Sequence, residues 1–469
     1  MVFSSVVFLC IFFPIVFLLH TVLPNGALRN GILVIASILF YAFGEPIYVG
    51  LLLISALANY LFGLFVTGKH PKAVLSLAVI LNIGMLLVFK YAGFFAVTLN
   101  RILPGGLSVP VPKLALPIGI SFYTFQALSY VVDVYRGHTE KQKSFFRLLL
   151  YISFFPQLIA GPIVKYHDIA TEITDRKVTV DGVYSGIIRF SVGLGKKVLI
   201  ANAMAVLADA VFALPKSYIG LLAAWVGAIA YVLQIYFDFS GYSDMAIGLG
   251  LMFGFHFREN FNYPYISGSI TEFWRRWHIS LSSWFRDYLY IPLGGNRKGK
   301  ARTIWNKFVV FFCTGFWHGA NWTFLIWGLY HGVLEMFEEK RWIPIHWGIK
   351  MLNHIYTLLA VTVGFVIFRA DDMSQAWYMI KSMFGFGASN GFGYVKAVSM
   401  LSPYILVMMI LGIVASTPVW KLLSAKFAAS RCGKYMHEPV AMAFSIAVLV
   451  LALMAIASDS YNPFIYFRF

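Results

Sequence analysis

Residues 440–458 read VAMAFSIAVLVLALMAIAS, a run without one charged side chain. A helix needs about 20 predominantly apolar residues to cross the hydrocarbon core of a bilayer. Residues 3–23, 32–66 and 73–88 are similarly apolar. Because the backbone groups of a segment in lipid must bond within the chain, these stretches predict an all-α fold that spans a membrane.

The composition extends this prediction to the whole chain. Of its 469 residues, 59% are hydrophobic and 12% are charged, whereas about 25% of a soluble domain is charged. Hydropathy predicts about 10 to 12 transmembrane helices. The polar intervals are short, so we predict a single membrane domain over residues 1–469. Residues 3–23 lack a preceding basic region and a cleavage site, and we expect a retained helix rather than a signal peptide.

The net charge of +17 is divided among short polar intervals, at residues 136–147, 196–197, 297–302 and 340–341. Basic stretches between apolar segments are typical of positive-inside orientation. No continuous basic face carries stacking aromatics, so membrane lipids rather than nucleic acid are the expected contact. The three cysteines show no CxxC spacing, and neither a metal site nor a disulfide framework is predicted.

Several segments rich in glycine, proline and polar residues interrupt the apolar sequence, at residues 116–119, 155–157, 160–162 and 238–244. Irregular backbone at membrane depth is tolerated where protein or a water-filled cavity surrounds it. We therefore expect these segments to form the walls of an internal tunnel.

Residues 271–290, TEFWRRWHISLSSWFRDYLY, carry an unusual load of charge among aromatic side chains. At 100° per residue, Arg275, His278, Ser282 and Arg286 share one face of a helix. Each charge at the centre of a lipid-facing helix costs about 2.5 to 3.5 kcal/mol, which favours a buried or re-entrant helix that lines a polar cavity. An amphipathic helix at the membrane interface is the alternative that the pattern leaves open.

A second polar group lies in apolar sequence at residues 312–323, FCTGFWHGANWT. An ionisable side chain in such a place is a functional hypothesis, although a histidine satisfied within the core is the commoner case. Gly315 and Gly319 flank His318 and permit close approach of another chain segment or a ligand.

The runs WRRWHISLSSWFRDYLYIPLGGNRKG (274–299) and FWHGANWTFLIWGLYHG (316–332) closely resemble the signature region of the membrane-bound O-acyltransferase family. The resemblance is to the bacterial branch that contains the alginate acetylation protein. Residues 116–137, 154–166 and 234–255 resemble that branch too, and the likeness covers essentially the whole chain. Residues 271–323 carry the signature motifs. The resemblance implies an O-acyltransferase whose helices surround a central tunnel.

The same resemblance implies roles for individual residues. His318 corresponds to the histidine of the family's FWHG motif, its proposed catalytic residue, and His278 corresponds to the second hallmark. A neutral imidazole accepts a hydroxyl proton near pH 7, so no metal and no tightly bound cofactor is expected. Substrate-binding residues are expected on the polar helix face and beside the FWHG motif: Arg275, Ser282, Arg286 and Asn321.

The resemblance further implies a multi-pass protein of the bacterial cytoplasmic (inner) membrane. Its donor would be cytoplasmic acetyl-CoA, and its acceptor would be an extracytoplasmic polysaccharide such as an alginate-like exopolymer or a cell-wall glycan. Relatives in this branch act with exported SGNH-hydrolase-like proteins, so we expect such an acetyltransferase partner. Two alternatives stay open: a D-alanyl-type transferase that uses a phosphopantetheine carrier protein, and a non-catalytic membrane transporter.

Residues 460–469, SYNPFIYFRF, form an aromatic tail. The tail resembles the C-terminal motif of a small membrane protein that accompanies teichoic-acid D-alanylation, in which a tyrosine is thought to carry the acyl group. By that resemblance Tyr466 accepts the acyl group in the tunnel and is a third catalytic residue. The alternative is an aromatic anchor at the membrane interface.

Overall fold

A computed structural model describes residues 1–24, 26–104, 107–343, 350–388 and 391–458. The regular structure of these residues is helical and includes no strand, which confirms the all-α prediction. The helices of seven or more residues are α1 (Phe8–Val22), α2 (Gly26–Gly44), α3 (Val49–Phe65), α4 (Pro71–Asn100), α5 (Ile120–Tyr135), α6 (Phe145–Ser153), α7 (Tyr166–Thr174), α8 (Val180–Phe212), α9 (Leu221–Met252), α10 (Ile270–Arg276), α11 (Ile279–Phe285), α12 (Lys300–His318), α13 (Trp322–Glu339), α14 (Lys350–Arg369), α15 (Met373–Met383), α16 (Gly391–Ser399), α17 (Pro403–Ala415), α18 (Val419–Ala429) and α19 (Gly433–Ser458).

Length and hydropathy decide which of these helices can cross a bilayer. In the described part of the chain, α2, α4, α8, α9, α14 and α19 are long and apolar enough to cross a bilayer, and α16 with α17 form a seventh span if the bent pair counts as one. The predicted number of 10 to 12 is therefore not confirmed. The apolar stretch 32–66 is divided between α2 and α3, because Glu45 and Pro46 separate them and proline disfavours helix in the residue before it.

The described residues group into two compact units, and the first comprises residues 1–190 and 245–258. Its core is aromatic: the rings of Phe8, Phe40 and Phe155 lie 5.6 to 6.2 Å apart by their centroids. Asn59 of α3 and Asn82 of α4 exchange side-chain amide hydrogen bonds of 3.2 and 2.8 Å. Such a pair joins apolar helices without leaving a buried amide unsatisfied.

The second unit comprises residues 191–244 and the described residues from 259 onward. Within it, Lys197 of α8 and Asp238 of α9 form a buried ion pair of 2.7 Å, with 3% and 2% of the side chains exposed. Lys196 and Asp244 form a second pair of the same length. Buried charges need such partners because their desolvation costs several kcal/mol each.

These pairs correct two sequence predictions. Residues 196–197 lie inside α8 and not in an interval between helices. Residues 238–244 were expected to be irregular, yet they continue α9 without interruption. The physical reason is the same for both, because the acidic side chains of one helix neutralise the lysines of the other and neither helix has to break.

Candidate active site

Helix α10 is fixed at its first turn by two carboxylates. Ser269 accepts a hydrogen bond from Glu272 N at 3.0 Å, and Glu272 accepts one from Gly268 N at 2.9 Å, a reciprocal N-terminal cap. Glu338 of α13, which is 4% exposed, accepts from Ile270 N at 2.6 Å and from both donors of Thr271. A carboxylate at a helix N-terminus satisfies orphaned amides and interacts favourably with the helix dipole. The buried end of α10 is therefore tied to α13.

The predicted single helix over residues 271–290 is wrong at Trp277 and His278. Helix α10 ends at Arg276, His278 has a left-handed backbone with φ 44°, and α11 begins at Ile279. The loop before α10 satisfies the backbone groups that the break frees. Ile279 N donates to Asn260 O, and the N–H of residue 262 donates to Arg276 O, both at 2.9 Å. A buried break is stable because its polar groups find these partners.

His278 is 1% exposed. Its ring contacts a polar side chain and an aromatic side chain. Its Nδ1 lies 3.1 Å from Asn260 Oδ1, and the ring meets Phe239 of α9 edge to face at a centroid distance of 4.5 Å. Its Nε2 is buried and has no hydrogen-bond partner in the described chain. Since buried polar atoms are usually paired, this nitrogen is a candidate contact for a ligand atom.

His278 lies outside the six candidate spans, and burial lowers its pKa well below the ordinary value of 6.5. The nearby charge of His318 lowers it further. Both causes disfavour the imidazolium. The ring is therefore neutral at physiological pH and keeps a lone pair for a proton.

His318 is the last residue of α12, and its ring is packed among aromatic side chains. The rings of Trp317, Trp327 of α13 and Phe368 of α14 lie 5.0, 5.0 and 5.2 Å from it by centroid. The indole of Trp317 also lies 6.2 Å from the His278 ring. Two histidines far apart in sequence thus share one aromatic neighbour.

The prediction that glycines beside His318 permit close approach is confirmed. A Cβ on Gly315 would lie 2.5 Å from Phe324 O and 3.2 Å from the Cα of Gly328 in α13. A Cβ on Gly319 would overlap the ring of Phe324. Contacts under 3.0 Å are essentially never seen for real Cβ atoms. Glycine at these positions therefore sets the distance between α12 and α13, and with it the place of the His318 ring.

A cavity of about 200 Å³ lies beside this aromatic cluster. Its lining is Trp274, Leu281, Ser282, Phe285, Arg286, Tyr290, Lys307, Val310, Phe311, Thr314 and Glu335. The volume is below the range of about 300–1,000 Å³ that holds a whole drug-sized ligand, so the cavity has room for only part of such a molecule. Trp274 of its wall lies 5.6 Å from Trp327, which in turn contacts His318. Two indoles therefore link the cavity wall to His318.

The predicted substrate-binding residues do not all lie in this cavity. Ser282 and Arg286 line it, although Arg286 is exposed and is paired with Asp287 at 2.7 Å. Arg275 is exposed and is not among the lining residues, because the break at His278 turns α10 relative to α11. Asn321 caps α13, accepting from Thr323 N at 3.2 Å and donating to residue 371 O at 2.9 Å. Tyr466 lies outside the described residues.

Sequence reasoning missed three residues that shape this site. Asn260 contacts His278 from a loop 18 residues upstream, and no local pattern signals that contact. Trp274 and Trp327 have buried indole N–H groups with no hydrogen-bond partner in the described chain. The aromatic density of the two signature runs was the available signal for these tryptophans, but it did not distinguish a cavity wall from packing.

Comparison with known proteins places the site in a family context. A sequence profile described as MBOAT, membrane-bound O-acyltransferase family, matches residues 138–368, which include both histidines. The chain is 41% identical over 503 residues to a probable alginate O-acetylase AlgI of Azotobacter vinelandii, and the match covers 100% of each chain.

The names of two further relatives indicate a different acceptor from alginate, and in one case a different acyl group from acetyl. A peptidoglycan O-acetyltransferase of Helicobacter pylori is 34% identical over 518 residues, with 100% of this chain and 98% of the relative covered. A teichoic acid D-alanyltransferase of Bacillus subtilis is 32% identical over 271 residues, with 54% and 68% covered. Among these three relatives, the two named for O-acetylation match over the full length of this chain, and the one named for D-alanylation matches over about half of it.

Proposed function

The chain belongs to the membrane-bound O-acyltransferase family, and from that premise we propose that it passes an acetyl group from acetyl-CoA to a polysaccharide outside the cytoplasmic membrane. It is a multi-pass membrane protein and an O-acyltransferase. The full-length relatives, named for O-acetylation of alginate and of peptidoglycan, support acetyl as the group and a polysaccharide as the acceptor. Acetyl-CoA as the donor and the bacterial inner membrane as the location are proposed from the same family resemblance.

One observation carries the proposed mechanism: His278 and His318 are buried against the same indole. Around them, four buried nitrogens have no hydrogen-bond partner in the described chain, namely Nε2 of His278, Nδ1 of His331, and Nε1 of Trp274 and Trp327. A cluster of unsatisfied polar atoms in a water-poor aromatic core calls for a polar ligand. A thioester carbonyl oxygen accepts from an indole N–H, and a hydroxyl group donates to an imidazole nitrogen.

The chemical step follows from these groups. His318 removes the proton from the acceptor hydroxyl while the oxygen attacks the thioester carbonyl carbon. The C–S bond then breaks, the thiolate leaves, and the proton on His318 passes to the sulfur. Before that transfer, His278 orients the incoming hydroxyl by accepting its hydrogen bond at Nε2. General-base catalysis of this kind contributes about 10²- to 10⁴-fold to a rate, and exclusion of water prevents hydrolysis of the thioester.

The cavity beside Trp274 supports a place for the donor arm. Its walls are mostly apolar, with Ser282, Arg286, Lys307 and Glu335 as polar groups. In the proposed complex, this mostly apolar cavity holds the pantetheine arm that carries the thioester, while the charged nucleotide stays outside. The basic residues at 297–302 are exposed, and they are the proposed contacts for the phosphates of coenzyme A.

The route to the polysaccharide includes Tyr466 and a partner protein. In the proposed relay, Tyr466 attacks the thioester with His318 as its base. The resulting phenyl ester is activated enough to pass the acetyl group to an exported SGNH-hydrolase-like acetyltransferase. A tyrosine hydroxyl has a pKa near 10, so it needs a base to attack at neutral pH. Transfer to a residue of the chain also removes the need to move charged coenzyme A across the membrane.

The proposed function is tested with purified protein in lipid vesicles supplied with labelled acetyl-CoA. We expect His318→Ala to insert and fold normally but to lose acetyl transfer by at least about 100-fold. His70→Ala is the matched control, because His70 is exposed and lies outside the site. Wild-type transfer by His318→Ala at equal protein level would exclude His318 as the base.

D-alanyl transfer is the second candidate, favoured by the partial match to a teichoic acid D-alanyltransferase. Both donors present a phosphopantetheine thioester, so one cavity suits either. The same vesicles incubated with acetyl-CoA or with a D-alanyl-loaded carrier protein distinguish the two, and we expect transfer from acetyl-CoA. Transfer from the carrier protein alone would replace the acetyl proposal and leave the role of His318 unchanged.

A further inference from the structure

The side chain of Asn260 joins three groups at the break between α10 and α11. Its Oδ1 lies 3.2 Å from Ser280 N, 2.9 Å from Ser280 Oγ and 3.1 Å from His278 Nδ1. Its Nδ2 donates to Ser243 Oγ of α9 at 3.0 Å. All four residues are buried. The amide is thus held from both ends.

The orientation of this amide follows from the chemistry of its neighbours. A backbone N–H is a donor and never an acceptor, so the Asn260 atom that meets Ser280 N must be the oxygen. The same oxygen faces His278 Nδ1. Two lone pairs at 3.1 Å would repel each other, so Nδ1 must carry the hydrogen and donate it to Asn260. In the neutral imidazole, the lone pair is then on Nε2.

We propose that Asn260 is a positioning residue that holds His278 in the Nδ1–H tautomer and so presents the lone pair of Nε2 to the acyl acceptor. The chemistry of this inference rests on the proposed function, whereas the tautomer rests on geometry alone. Nε2 is the buried ring nitrogen of His278 without a partner in the described chain, as a nitrogen reserved for a ligand must be. Substituting the side chain leaves the main-chain bond from Ile279 N to Asn260 O available.

The first test is a double-mutant cycle in the vesicle transfer assay. We expect Asn260→Leu, which keeps the volume and removes the acceptor, to lower kcat about 10- to 100-fold and to change KM less than twofold. In a His278→Ala background the same substitution should cause no further loss, because a positioning residue acts through its partner. Asn296→Leu is the matched control, since Asn296 is exposed. Losses that multiply in the double variant would overturn the inference.

The second test is rescue by Asn260→Asp, followed across pH. A carboxylate still accepts from Nδ1–H, but it stabilises the imidazolium and raises the pKa of His278. The unprotonated fraction then falls at low pH, so the acid limb of kcat should move to higher pH while the rate at high pH recovers. Among the described residues, His318 is the titratable group that acts on His278. The acids of α9 beside Phe239 and Ser243 are those already paired with lysine. An unmoved pH profile, with or without recovery, would refute the positioning role.

The third test does not depend on activity and separates this inference from the proposed function. In ¹⁵N-histidine-labelled protein, the signals lost in His278→Gln report the tautomer of that ring. We expect a protonated Nδ1 and an unprotonated Nε2 in the wild type, and a lower population of that tautomer in Asn260→Leu. A wild-type ring protonated at Nε2 would overturn the inference, even if acetyl transfer is confirmed. The expected tautomer without acetyl transfer would support the inference and count against the function.

Discussion

We expect Gly315→Ala to inactivate the enzyme, because the added methyl group would separate helices α12 and α13 where they are in contact. The Cβ of Gly315→Ala would lie 2.5 Å from Phe324 O and 3.2 Å from the Cα of Gly328. The helices must move apart by about 0.5 Å to reach 3.0 Å and by about 0.9 Å to reach an ordinary contact of 3.4 Å. Main-chain atoms cannot rotate away, so the displacement falls on the helix itself.

This displacement lies one helical turn from His318, at about 1.5 Å of rise per residue. A misplacement near 1 Å in a catalytic group costs about 100-fold in rate, so we expect Gly315→Ala to lower kcat by about that factor. Overpacking costs about 1–3 kcal/mol of stability, and the better helix propensity of alanine offsets up to about 1 kcal/mol of it. The variant should therefore still fold.

The assay is acetyl transfer in vesicles, with thermal unfolding in detergent to measure folding. Gly84→Ala is the control, because a Cβ on Gly84 in α4 meets nothing within 4 Å. It should keep the wild-type rate and gain a few tenths of a kcal/mol in stability. The reasoning would be refuted by Gly315→Ala protein that transfers acetyl at the wild-type rate.

Three further predictions use other parts of the chain. Tyr466→Phe removes the hydroxyl and keeps the aromatic ring, so it should abolish polymer acetylation if the tail carries the group, and acetylation at the wild-type rate would make the tail an anchor. Ser282→Trp should fill the cavity and raise KM for acetyl-CoA more than tenfold. Ser399→Trp, at an exposed site, is the control and should leave KM unchanged. Equal KM values in the two variants would mean that the donor binds elsewhere. Lys197→Met should destabilise the protein by about 3–5 kcal/mol, because it removes the buried partner of Asp238. The double variant Lys197→Met with Asp238→Leu should recover most of that stability. An unchanged thermal midpoint in Lys197→Met would contradict this prediction.

Local sequence predicted what depends on local chemistry. An uncharged run of apolar residues specifies a helix in lipid whatever its neighbours are, so the all-α class followed from residues 440–458. The close approach at Gly315 and Gly319 also followed from the residue type alone. By contrast, Lys197 and Asp238 are 41 positions apart on different helices. The sequence around Lys197 does not contain Asp238, and the sequence around Asp238 does not contain Lys197. The local pattern therefore gave no indication that the two side chains form a buried ion pair.

The break at His278 shows why the centre of the site lay beyond such reasoning. A helical period assumes that each N–H bonds four residues back, but Ile279 N bonds to Asn260 O and the N–H of residue 262 bonds to Arg276 O. The left-handed backbone of His278 costs about 1–2 kcal/mol, and hydrogen bonds worth about 0.5–1.5 kcal/mol each offset it. Those bonds come from a loop 16 to 18 residues upstream of His278, so a window of one or two helical turns does not contain them. The strain therefore persists because distant partners hold it, and it lies at the residue whose ring nitrogen is kept without a partner in the described chain. At His278 the predicted helix breaks, and the same residue carries a buried ring nitrogen without a hydrogen-bond partner in the described chain. The two observations together indicate a functional residue more specifically than either does alone.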